Sequence, residues 1–106
     1  MTNPITPEKQ RAALETLIRY FQSNGYVRLP NLEKRKKLQS NYKKGYELRF
    51  VADTKSELRE IRQCLQCTGF GVGKPFVKGR QFVQPVYGKK QLDRFLAIAD
   101  LGLEQL

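Results

Sequence analysis

Few residues in this chain have the types and spacing that do covalent chemistry. Cys64 and Cys67 stand two residues apart, the C-x-x-C spacing of a redox pair or of half a zinc site. Zinc needs a second pair or histidines, and the sequence has two cysteines and no histidine. A redox pair opens a helix, where the positive end of the helix lowers the thiol pKa. Here the two fall late in a predicted helix, which makes them packed or half-exposed thiols of a reduced, cytoplasmic protein. The carboxylates offer no pairing either. Asp53, Glu57, Glu60, Asp93, Asp100 and Glu104 fall at predicted caps or on outer helix faces, and Glu8, Glu15, Glu33 and Glu47 form no cluster. Gly69, Gly71 and Gly73 invite comparison with a phosphate-cradling loop, but they follow a helix and no GxxxxGK[ST] is present, so turn geometry accounts for them. No catalytic residue, metal ligand or cofactor is expected from these side chains.

What remains is charge. Twenty Lys and Arg face ten Asp and Glu, a formal net charge of +10. Its distribution is uneven. Arg28, Lys34, Arg35, Lys36, Lys37, Lys43, Lys44 and Arg49 are opposed only by Glu33 and Glu47 in residues 26–52, and Lys74, Lys78 and Arg80 are unopposed in 70–88. Residues 53–69 and 89–106 each balance to neutrality. The excess therefore lies on predicted hairpins and their loops. Charge placed only for solubility would spread over the whole surface, whereas a concentrated excess attracts polyanions. The expected partner is DNA, with RNA possible. Lys34, Arg35, Lys36, Lys37, Lys43 and Lys44 are candidate phosphate contacts that supply affinity and salt dependence. Arg28, Arg49, Lys78, Arg80, Gln81 and Gln84, with Glu47, are strand residues expected to face outward. In a major groove Arg reads guanine edges and Gln reads adenine. Tyr26, Tyr42, Phe76, Phe82 and Tyr87 offer the alternatives of core packing or of stacking on single strands.

These groups need a scaffold, and the pattern of apolar residues describes one. Thr6-Pro7-Glu8 reads as the cap and first turn of a helix, whose inner face is Ala13, Leu14, Leu17, Ile18 and Phe21. Asn24-Gly25 ends it, with the glycine expected in a left-handed cap. Tyr26 to Leu29 is a short strand closed by Pro30, and residues 31–44 form a basic loop. Tyr46, Leu48 and Phe50 alternate with Glu47, Arg49 and Val51 as a half-buried strand. Thr54-Lys55-Ser56-Glu57 is a capping box opening a second helix, with Leu58, Ile61, Cys64 and Leu65 inward and Gly69 as its stop. Gly71, Gly73 and Pro75 connect to a short strand at Phe76-Val77, which turns at Lys78-Gly79 into a strand over 80–87 that Pro85 places at an edge or bulge. Leu92, Phe95, Leu96 and Ala99 mark a third helix. The order α-β-β-α-β-β-α is that of an α+β protein, an antiparallel sheet with helices on one face. The expected organisation is a flexible start over 1–5, one domain over 6–100, and a tail over 101–106.

That order resembles one LAGLIDADG homing-endonuclease domain. The residues that carry the likeness are LIRYFQSNG, from Leu17 to Gly25, leading into YVRL, then GYELRFVA, SELREIRQCLQCTGF and VYGKKQLDRFLAI. The resemblance implies a homodimer whose first helices pack together and whose sheets form a saddle on duplex DNA. It also implies that an acid closing the motif binds Mg²⁺ for phosphodiester cleavage. Asn24 stands at that position, and a neutral amide does not supply the carboxylate charge. Arg19 replaces the motif's small internal residue. The expectation is thus a binder more than a cutter, with a metal-dependent endonuclease as the alternative. A protein-interaction adaptor, suggested by Leu101, Leu103 and Leu106, is a further alternative. No apolar run approaches the ~20 residues of a membrane span. The opening MTNPITPEKQ lacks the pattern of a secretory signal.

Overall fold

The computed structural model describes residues 6–29 and 45–101. Residues 1–5, residues 30–44 with the basic loop, and residues 102–106 lie outside the described residues, as does every expectation placed on them. The elements run α1 (Pro7–Asn24), β1 (Tyr26–Arg28), β2 (Glu47–Ala52), α2 (Lys55–Cys67), β3 (Phe76–Lys78), β4 (Gln81–Tyr87) and α3 (Lys89–Leu101). The four strands make one antiparallel sheet in the order β1-β2-β4-β3.

Local chemistry sets the helix ends. Thr6 accepts a hydrogen bond from Lys9 N and caps α1, with Pro7 at its first position. Thr54 accepts from Glu57 N, while Glu57 reaches back to Asp53 N, one residue before the cap. At the end of α2, Gly69 N donates to Gln66 O and Phe70 N to Leu65 O, with Gly69 at φ 79°. This doubly bonded left-handed termination requires the glycine, and it turns Phe70 back onto the core.

Gly25 behaves differently from expectation. Its φ is −72°, an extended conformation open to any residue. Space, not φ, demands the glycine: a Cβ there would lie 2.7 Å from Phe21 Cα and 3.0 Å from Arg49 O. The chain passes directly from helix to strand because nothing projects at the corner.

Leu17 and Ile18 of α1, Leu48, Phe50 and Ala52 of β2, Ile61 and Leu65 of α2, Val86 of β4 and Leu92 and Phe95 of α3 form the core with Phe70. Phe95 sits at its centre, meeting Phe21 and Phe50 at 5.4 Å and Phe70 at 6.1 Å, all edge to face. All three helices therefore cover the sheet face that carries Leu48, Phe50, Ala52 and Val86.

β4 lies inside the sheet, between β2 and β3, so the edge position expected from Pro85 is corrected. Pro85 O accepts from Gly73 N, on the side away from β2. Within a strand a residue's N and O point the same way. The missing N–H thus falls beyond the three-residue pairing of β3 and breaks no bond to β2.

Candidate nucleic-acid interface

Register fixes which side chains share the face opposite the helices. Tyr26 pairs with Arg49 and Arg28 with Glu47; Glu47, Arg49 and Val51 pair with Tyr87, Pro85 and Val83; Phe76 and Lys78 pair with Val83 and Gln81. Because side chains alternate along strands, all of these lie on the face opposite the helices, where Glu47, Val51, Val83 and Pro85 are buried and Tyr87 is exposed. Among the candidate residues, Arg28, Arg49, Lys78 and Gln81 are brought together there. Arg80 is not in a strand: it occupies the two-residue turn between β3 and β4, exposed, beside Gly79 at φ 64°.

Arg49 is the centre of this face and is already engaged. Its Nε donates to Glu47 Oε2 at 2.7 Å and its Nη1 to Tyr26 Oη at 3.0 Å. The guanidinium lies 5.6 Å from the Tyr26 ring centre and 5.1 Å from that of Phe76. The ammonium of Lys78 lies 5.5 Å from the Tyr26 ring on the same face. Burial favours the neutral Tyr26 phenol, but the hydrogen bonds and charges of Arg49 and Lys78 outweigh it and hold its pKa below the ordinary tyrosine value.

Two outward expectations are corrected. Gln84 pairs with Phe50 on the helix-covered face and is fully buried. Its Nε2 donates to Gly73 O at 2.8 Å and Pro85 O at 2.9 Å, and its Oε1 accepts from Arg62 Nη1 at 2.7 Å. It satisfies the backbone where β3 stops, and it cannot touch a ligand. The alternation inward-outward along β4 is broken by this buried amide, a polar residue on the core face. Glu47 lies on the face opposite the helices but is only 5% exposed, with its carboxylate paired to Arg49. Gln81 keeps its place on that face, with its Nε2 bonded to Asp53 Oδ1 at 2.9 Å.

Of the aromatic candidates, Tyr26, Phe76 and Tyr87 share the face opposite the helices, while Phe82 lies on the other and packs against the core. Tyr42 and the run Lys34, Arg35, Lys36 and Lys37, with Lys43 and Lys44, lie outside the described residues. Tyr87 is 52% exposed and Phe76 36%. Tyr87 rests on Gly73: a Cβ at that glycine would meet Tyr87 Cε2 at 2.6 Å. Sequence reasoning read Gly73 as a turn residue and missed its role as a seat for this ring. It also missed Glu47 as the partner of Arg49, although two residues apart on a strand means the same face.

Cys64 is half-buried and Cys67 exposed, both free, in the last turn and a half of α2. Burial pushes the Cys64 thiol up, and the nearby Glu60 and Cys67 push it the same way. That is the reverse of thiolate activation. Asn24, at the end of α1, is exposed and its amide donates to Ser23 Oγ. Arg19 is exposed on α1 and donates to Thr16 Oγ1. Among the described residues no three of Cys, Asp or Glu come together as a metal-binding group, and no helix is long and apolar enough to cross a membrane.

No protein-family model, curated protein or solved structure matches the chain.

Proposed function

We propose that the protein binds nucleic acid through the cations and exposed rings on the sheet face opposite the helices, together with the basic run at residues 34–37. The observation that carries this reading is the charge of that face. Arg28, Arg49 and Lys78 lie on it, and its strands hold one carboxylate, Glu47, which is buried against Arg49. A polyanion approaching the face thus meets cations and no exposed strand acid. Helices on one side of an antiparallel sheet are also what the resemblance to a LAGLIDADG domain leads one to expect of a nucleic-acid binder. Mg²⁺ is not part of the proposal, because the amide of Asn24 does not fit the role of a metal-binding carboxylate.

The test is fluorescence anisotropy of an end-labelled duplex DNA, and of its single strand, at two salt concentrations. Binding should weaken steeply with salt. Neutralising Lys34, Arg35, Lys36 and Lys37 should lower the slope by about 0.7–0.9 for each phosphate that those side chains neutralise in the native complex. Absence of binding to either form at low salt sinks the proposal.

A further inference from the structure

Resting on that reading, we infer that the face takes unpaired nucleotides, whose bases stack on Tyr87 and Phe76, and does not read the groove of a duplex. Reading base edges needs donors and acceptors free to turn outward. The groups expected to do so are already committed. Gln84 is buried among Gly73, Pro85 and Arg62. Gln81 is bonded to Asp53, and Arg49 to Glu47 and Tyr26. Ring surface, by contrast, is open. Tyr87 and Phe76 are two of the four large apolar residues left exposed among the described residues.

Both rings are held in place before any ligand arrives. Tyr87 is seated on the bare Cα of Gly73, and Phe76 lies against a guanidinium that Glu47 and Tyr26 pin from two sides. A ring already fixed loses little conformational freedom when a base stacks on it. Phe76 lies opposite Val83, and Tyr87 stands four residues further along β4, about 13 Å away at strand spacing. One base cannot bridge that distance, so each ring receives its own. Bases inside a duplex already stack on each other and present no free face; bases of a single strand, loop or frayed end do. Arg28 shares the register of Tyr87, two strands away across Glu47, and lies on the same face to meet a flanking phosphate; stacking of this kind tolerates any base.

The chain has no tryptophan, so Tyr87→Trp creates a unique emitter at the platform. Unlabelled dT20 is titrated into this variant, while anisotropy of end-labelled dT20 and of a blunt 20-base-pair duplex measures affinity for the native chain and for Tyr87→Ala, Phe76→Ala, Tyr87→Phe and Gly73→Ala. The expected result is saturable quenching of the tryptophan. Each ring-to-alanine change should weaken dT20 roughly 5- to 100-fold and change duplex affinity less than twofold. Tyr87→Phe should retain binding, and Gly73→Ala should weaken dT20 with Tyr87 in place. Binding of dT20 with no quenching and no loss in the alanine variants overturns the stacking platform and leaves the nucleic-acid reading standing. Unchanged binding together with a changed oligomeric state in Tyr87→Ala also overturns it, and assigns the rings to a protein interface. Failure of both probes to bind the native chain removes the nucleic-acid reading itself.

Discussion

The Nε of Arg49 lies 2.7 Å from Oε2 of Glu47, two residues back on the same face of β2, with side chains only 12% and 7% exposed. The most central cation of the sheet face opposite the helices therefore carries its counter-ion within the fold. Its first task is structural, and its removal should be felt in stability before it is felt in binding.

Arg49→Ala leaves the Glu47 carboxylate covered and unpaired, which should cost roughly 3 kcal/mol, the lower end for broken buried pairs. Glu47→Gln should cost less, because the amide oxygen still accepts from Arg49. Urea unfolding of the two variants measures both. Equal stability of Arg49→Ala and the native chain would show that the pair contributes nothing.

Two tyrosines should titrate on opposite sides of the ordinary value. Burial raises the Tyr20 phenol, and its hydrogen bond to Glu60 with the nearby acidic charges raises it further, well above that value. The folded state then holds this proton more tightly than the unfolded chain. Its contribution is full below about pH 10, the unfolded value, and is lost as the pH rises beyond it. Tyr26 is held below the ordinary value, so its contribution has the other sign: present above the unfolded value and lost as the pH falls through the folded one. Tyr20→Phe should flatten the alkaline loss of stability, and Tyr26→Phe should steepen it. Ultraviolet titration of tyrosinate in the two variants identifies which residue ionises early and which late.

Thiol reagents should distinguish the cysteines. Cys67 is exposed, whereas Cys64 is half-buried with its thiol pushed up by burial and by Glu60. Labelling should be biphasic, and Cys67→Ser should abolish the fast phase. A single phase of two equivalents would contradict the arrangement at the end of α2.

Gln84→Leu keeps the volume of the side chain and removes its polar atoms. Arg62 and the carbonyl of Gly73 would lose a partner, at a cost of about 1–3 kcal/mol, measurable by urea unfolding. Any affinity for dT20 should not change, because this side chain does not reach the surface. A loss of that affinity in the folded variant would argue that β4 turns its other face outward on binding.

Much of the scaffold was legible in the sequence because its signals are local. Thr6, Thr54 and Gly69 act at helix ends through neighbouring backbone groups, and the spacing of Leu17, Ile18, Ile61, Leu65, Leu92 and Phe95 follows from helix geometry. The site was less legible because its relationships are not local. Gly25 is shaped by Arg49 across the corner, Gly73 by Tyr87 across two strands, and Gln84 by Arg62 on α2. Pro85 reads as an edge signal, yet the absent N–H points to a side where the neighbouring strand has already ended. Each of these needs the strand order before it can be understood.

The pairing of Arg28 with Glu47 has a consequence for how such a chain can change. The last residue of β1 and the first of β2 are cross-strand partners, so the whole excursion between them, basic run included, leaves the sheet and returns to it at one point. Doubling the length of such a connection costs only about 0.6 kcal/mol in closure entropy. Its length and cationic content can therefore be rewritten while Arg28 and Glu47 stay in register. The charge carried between these two strands and the sheet that they belong to are separable variables in this molecule.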